Sequence, residues 1–131
     1  MYLGPLPDWL QPLCQELKER GLMPRVADQV IVNEYEPGQG IAPHVDCVPC
    51  FADTIASLTL GSGCLMEFTK VKTREKVPLF LERRSLVVLS GEARYDWRHA
   101  IPARKSDPRE GLVVPRGRRL SLTFRNVLLE G

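Results

Sequence analysis

After one amphipathic stretch the chain becomes a succession of short extended runs punctuated by Gly, Pro and charged turns. No other feature constrains its fold as tightly. The opening segment, Pro7 to Arg20, carries Leu10, Leu13, Cys14 and Leu17 at helical spacing with charged residues between them, and it stops at Gly21. Beyond Met23-Pro24 the apolar period changes from helical to extended. Gln29 to Tyr35 reads as a strand ended by the turn chemistry of Glu36-Pro37-Gly38. Thr54 to Leu60 and Cys64 to Phe68 flank Gly61-Ser62-Gly63 and predict a hairpin. Val77 to Leu81 and Ser85 to Leu89 predict a second pair, Tyr95 to Ile101 a further strand, and Arg118 to Val127 another. Pro102 to Gly117, rich in Pro, Gly and charge without apolar periodicity, reads as loop.

Short strands at this spacing, with one helix, predict a mainly β protein: an antiparallel sandwich or barrel, most simply closed as a jelly roll. The 131 residues, 44% hydrophobic, suffice for one core, so residues 1–131 are expected to form a single domain. Lys+Arg 18 against Asp+Glu 16 gives a formal net charge of +2, which excludes a global basic footprint and leaves only local basic surface for any nucleic acid. No apolar run reaches membrane-span length, and no charged leader precedes an apolar signal core. The expectation is a monomer without membrane association, in the cytoplasm, or in the nucleus as well in a eukaryote.

Within this frame His44-Val45-Asp46 and His99 stand out. Two imidazoles and a carboxylate are the ligand set of the facial triad that holds a non-haem iron and leaves positions open. Side chains two apart on an extended segment point the same way, so His44 and Asp46 can reach one ion. His99 would share a strand face with Tyr95 and Trp97, leaving Arg94, Asp96 and Arg98 on the other. The plainer alternatives are a surface hydrogen bond between His44 and Asp46, and a His99 satisfied in an aromatic core. Cys14, Cys47, Cys50 and Cys64 are too few and irregular for a disulfide scaffold, so thiols are expected. The spacing of Cys47 and Cys50 also allows half a zinc site or a redox pair, but Pro43 and Pro49 make their surroundings loop-like. On Arg118 to Val127, Leu120, Leu122 and Phe124 occupy one face and Arg119, Ser121, Thr123 and Arg125 the other. The pattern by itself suits a strand with a polar outer face. Its alternative is a polar face lining a cavity, where two guanidinium forks would suit a ligand with carboxylates.

Taken in order, Asn33-Glu34-Tyr35-Glu36-Pro37-Gly38, His44-Val45-Asp46, Ser57-Leu58-Thr59-Leu60-Gly61-Ser62, Arg84-Ser85-Leu86, His99 and Arg119 to Arg125 closely resemble the AlkB family of Fe(II)- and 2-oxoglutarate-dependent dioxygenases. The resemblance runs from Gln29 to Val127. Asn33 to Phe68 with Arg83 to His99 is most similar to the oxygenase domain of the homologue 8 branch, which acts on a wobble uridine of tRNA. It implies the double-stranded β-helix, a jelly-roll variant, and three cofactors: Fe(II), 2-oxoglutarate as co-substrate, and O2. It further implies that His44, Asp46 and His99 ligate the iron and are the catalytic centre. Arg119 and Arg125 match the arginines that hold the 2-oxoglutarate carboxylates, and Asn33 and Tyr35 match further co-substrate contacts. Ser121 stands where the bacterial repair enzyme has asparagine.

The implied activity is hydroxylation or oxidative demethylation of a modified nucleic-acid base, in RNA such as tRNA or in alkylated DNA. The alternatives are a dioxygenase acting on a protein side chain or small molecule, or an inactive jelly-roll binding module. Base-repairing members extrude the target base under an N-terminal lid, for which the stretch before Asn33 leaves little room. Arg83, Arg84, Arg94, Arg98, Arg104, Lys105, Arg116 and Arg118 are candidates for phosphate contacts around the mouth, or form a solvated face.

Overall fold

The computed structural model describes residues 6–128; the ends of the single domain expected over 1–131 lie outside the described residues. Helix α1 (Gln11–Glu19) starts later than Pro7. Pro12 sits in its first turn, where a missing N–H leaves no bond unmade. At its end Gly21 takes φ +72° while the Leu22 N–H reaches back to Leu17 O at 2.9 Å. This left-handed exit needs a residue without Cβ.

Strands β1 (Gln29–Tyr35), β2 (Ile41–His44), β3 (Ile55–Gly61), β4 (Cys64–Lys70), β5 (Lys76–Leu81), β6 (Leu86–Leu89), β7 (Trp97–Ile101), β8 (Ser106–Arg109), β9 (Leu112–Pro115) and β10 (Arg119–Arg125) follow. They form two four-stranded sheets, ordered β1-β10-β3-β6 and β2-β7-β4-β5, and the hairpin β8-β9. Every paired register is antiparallel, as a jelly roll requires. No described helix is long and apolar enough to cross a membrane.

Three expectations are corrected. Neither pair of consecutive strands forms a hairpin. β3 pairs with β10 and β6, whereas β4 pairs with β7 and β5, so Gly61-Ser62-Gly63 carries the chain from one sheet to the other. A Cβ on Gly61 would lie 2.5 Å from Arg118 O, and one on Gly63 2.5 Å from Leu81 O, which is why this crossing is built of glycine. β5 and β6 likewise belong to different sheets. Second, Tyr95 is not in a strand: Glu92–Tyr95 forms the single turn α2, which breaks the expected alternation and turns Arg94 inward. Third, the expected loop over 102–117 contains β8 and β9. Glu110 and Gly111, at φ 50° and 79°, make the two-residue turn with positive φ that matches strand twist.

Alternation divides the first sheet into two faces. Ala56, Leu122 and Phe124 point outward and are buried under Leu10, just before α1, and Cys14 and Leu17 of α1. The opposite faces of the two sheets meet around Cys64, Met66, Phe68, Leu81, Leu89 and Ile101. This second core stops short of filling the barrel, and the remaining space is the site.

Candidate metal centre and co-substrate cavity

A cavity of about 220 Å³ lies between the sheets. Ile31, Ile41, Ile55, Met66, Val87 and Ile101 make its walls apolar. Its floor is polar because the first sheet turns one face of each strand inward, in cross-strand rows. Asn33, Ser121 and Thr59 are directly opposite one another on β1, β10 and β3. Tyr35, Arg119 and Gly61 form the next row. Arg119 and Ser121 are only 4% and 5% exposed, so the polar face of β10 lines a cavity and is not a solvated outer face.

His44 and Asp46 arrive from the end of β2, and His99 from β7 directly opposite His44. The second sheet thereby presents all three at one end of the cavity. The Nε2 atoms of His44 and His99 lie 3.2 and 3.4 Å from Asp46 Oδ1. All three donor atoms lie within 4.8 Å of one another, and among the described residues no other cluster of His, Cys, Asp and Glu is arranged to hold a metal. His44 Nδ1 donates to Ala42 O at 2.9 Å, which orients Nε2 toward Asp46 and His99. Burial alone would raise the Asp46 pKa. Hydrogen bonds from His44 and His99, with the charges of His99 and Arg125, outweigh it and hold the carboxyl far below the usual range. An anionic oxygen and two imidazole nitrogens on one side, with the cavity on the other, are a donor set that fits Fe(II).

The two arginines stand at opposite ends of one strand face. Arg125 Nη1 donates to Asp46 Oδ2 at 3.2 Å beneath the ring of Phe51, 4.1 Å from ring centre to guanidinium. Arg119 Nη2 donates to Thr59 Oγ1 at 3.0 Å, and its guanidinium lies over the Tyr35 ring. Burial pushes the Tyr35 phenol up against the lowering by Arg119, so it remains a protonated donor. Arg119 Nε and Arg125 Nε are buried with no hydrogen-bond partner. Arg119, Arg125 and Asp46 are the charged residues lining the cavity, which leaves an excess of positive charge. Two cations with open donor positions in a cavity with one carboxylate fit a dianionic ligand, since buried donors left unmade are costly.

Asn33, Tyr35, His44, Asp46, His99, Arg119, Ser121 and Arg125 thus line one cavity. Sequence inspection had not singled out Thr59, 1% exposed and bonded to Arg119, although its polar phase within Ser57-Leu58-Thr59-Leu60 was visible. It also missed Phe51 and the buried role of Arg94, which depend on distant contacts. The expected phosphate contacts shrink: Arg94 is buried, Arg104 and Arg116 bind Asp107, and Arg118 binds Glu34. Arg83, Arg84, Arg98 and Lys105 remain exposed. Cys14 and Cys64 are buried thiols, but Cys47 and Cys50 are joined by a disulfide, contrary to expectation. The turn closed by the Cys50 N–H on Cys47 O brings their Cα atoms to 5.2 Å, within bridging range.

The sequence model described as 2OG-Fe(II) oxygenase superfamily matches residues 2–125. The tRNA (carboxymethyluridine(34)-5-O)-methyltransferase alkbh8 of Xenopus tropicalis is 41% identical over 140 residues, covering 95% of this chain and 22% of that protein. The alkylated DNA repair protein ALKBH8 homolog of Arabidopsis thaliana is 37% identical over 148 residues, covering 95% of this chain and 43% of its own length. The chain therefore spans less than half of either relative. Among solved structures, that of OsALKBH1 aligns with a TM-score of 0.68 over 92% of this chain and 64% of its own, at 19% identity, a likeness of fold.

Proposed function

The chain belongs to the 2OG-Fe(II) oxygenase superfamily, whose enzymes use Fe(II), 2-oxoglutarate and O2, and on that premise we propose that it oxidises a modified base of a nucleic acid. The observation that carries the oxygenase chemistry is the meeting of His44, Asp46 and His99 with two incompletely bonded arginines in one cavity. Bound iron and 2-oxoglutarate supply oxidative decarboxylation of the keto acid to succinate and carbon dioxide, coupled to insertion of oxygen into a substrate C–H bond. In this proposal His44, Asp46 and His99 hold the metal and none of them moves a proton. The His44 tautomer is fixed by Ala42 O, and ionised Asp46 is steadied by Arg125. Arg119, with Thr59 and Tyr35 against it, would hold one carboxylate of 2-oxoglutarate, and Arg125, bonded to Asp46, would hold the other. Ile31, Ile41, Ile55 and Ile101 give the cavity holding these groups an apolar lining.

The nucleic-acid part rests on the names of the relatives, which include a tRNA-modifying enzyme and an alkylated-DNA repair protein. The metal end is compatible with a base presented from outside: the His44 side chain is 40% exposed against 9% for Asp46 and 14% for His99. If the oxidised carbon is an N-methyl, the resulting hemiaminal releases formaldehyde and the net outcome is demethylation.

Anaerobic titration of 2-oxoglutarate into Fe(II)-loaded protein should give the visible charge-transfer band of a chelated keto acid. Aerobic incubation with methylated RNA and DNA oligonucleotides should then raise succinate output and yield an oxidised or demethylated base. A band without stimulation by any oligonucleotide would redirect the substrate to a protein or small molecule. No band in folded, iron-loaded protein would favour a binding module.

A further inference from the structure

We propose that Arg94 is a positioning residue that fixes the loop carrying Asp46, and through it both the metal ligand and the cover of Arg125. This rests on the reading of His44, Asp46 and His99 as metal ligands. Arg94 is 2% exposed, and its guanidinium has no carboxylate partner among the described residues. It donates instead to four backbone carbonyls: Nη1 to Asp46 O at 2.8 Å, Nη2 to Cys47 O at 3.2 Å and Phe51 O at 3.3 Å, and Nε to Ala52 O at 3.3 Å. A buried cation compensated by peptide dipoles and the face of the Tyr95 ring, with no carboxylate, is an expensive group to keep, so the loop it gathers must gain definition from it.

That loop occupies the turn between β2 and β3. It begins at Asp46, is cross-linked between Cys47 and Cys50, and ends at Phe51, whose ring covers the Arg125 guanidinium. Its far side is tied to the chain beyond β10 by Ala52 N–H to Asn126 O at 2.9 Å and Leu128 N–H to Cys50 O at 2.8 Å. Arg94 itself lies on α2, three residues before β7 begins its run to His99. One guanidinium therefore ties the backbone of Asp46 to the turn that leads into the strand carrying His99, setting the gap between two donors from different parts of the chain. Only a planar fork with several N–H groups can bind carbonyls of four residues at once; an ammonium presents three donors at one point.

Arg94→Lys keeps the charge and loses the fork. Mn(II), which does not oxidise during the measurement, is the probe, read by calorimetry, followed by 2-oxoglutarate on the Mn(II)-loaded protein. The expected result is a Kd for Mn(II) raised about tenfold or more, the usual scale for groups that orient ligands, with a parallel loss of 2-oxoglutarate affinity. Asp107→Asn, which weakens a buried network away from this loop, is the control for general destabilisation and should leave the Mn(II) Kd within about twofold of wild type. Phe51→Ala, with Arg94 intact, should leave Mn(II) binding unchanged and weaken 2-oxoglutarate about threefold or more, the worth of a ring on a guanidinium; it also serves if Arg94→Lys does not fold. Wild-type Mn(II) affinity in Arg94→Lys, an equal loss in Asp107→Asn, or unchanged 2-oxoglutarate affinity in Phe51→Ala would overturn the positioning role. Failure of the wild-type protein to bind Mn(II) would instead overturn the metal-ligand reading on which it rests.

Discussion

At the scale of single residues, the proposed function assigns some groups to a metal and others to an anion, and substitutions should separate the two. His99→Ala removes one imidazole at the cavity edge, so the apo fold should persist while the charge-transfer band with Fe(II) and 2-oxoglutarate disappears. Arg119→Met removes one buried cation but no donor to the metal. Mn(II) affinity should hold, and 2-oxoglutarate affinity should fall by about 1.5–3 kcal/mol, roughly ten- to a hundredfold in Kd, as for a hydrogen bond to a charged group. The clustering of His44, Asp46 and His99 was legible in the sequence because few side-chain types can serve a metal, and only two histidines occur in the chain. Arg94 was not legible. Its partners are carbonyls more than forty residues away, and any residue supplies a carbonyl.

At the scale of elements, strand positions were read well and strand partners badly. Period-two alternation is a property of one segment, whereas pairing depends on which sheet each segment joins. Gly61-Ser62-Gly63 has the composition of a hairpin turn but serves a change of sheet, and that distinction lies in the backbone of Arg118 and Leu81 pressing against the glycines. Gly61→Ala should therefore cost more than Gly111→Ala. Both must adopt positive φ, worth about 1–2 kcal/mol, but only Gly61 would also drive a Cβ into a carbonyl oxygen, and Gly111 has open space. Chemical denaturation of the two variants should rank them in that order. The polar face of β10 illustrates the same limit: its alternation was plain, and whether it met solvent or a cavity was decided by β2 and β7 in the opposite sheet.

For the whole molecule, stability in acid should reflect a buried network beside the β8-β9 hairpin. Burial would raise the Asp107 pKa, but Arg116 and Arg104 donate to its carboxylate, helped by a backbone bond from Leu65, and lower it instead. The folded pKa is thus below that of the unfolded chain, near 3.9 for aspartate. The associated stability is fully present at neutral pH, begins to fall as pH drops through the unfolded value, and is lost through the folded one. Asp107→Asn should lower the melting temperature at pH 7 and flatten its decline below about pH 4, measured by calorimetry across that range. A different consequence follows from the position of β10. It is the last strand of the two sheets to be made, yet it lies between β1 and β3, which do not pair with each other. While the chain is being synthesised, both of those strands present open edges that attract foreign strands. The two cavity arginines and the missing central strand arrive together on the same seven residues, Arg119 to Arg125. A nascent chain can therefore have neither a closed first sheet nor its two cavity arginines before β10 emerges, and factors that shield β edges should matter most in that interval.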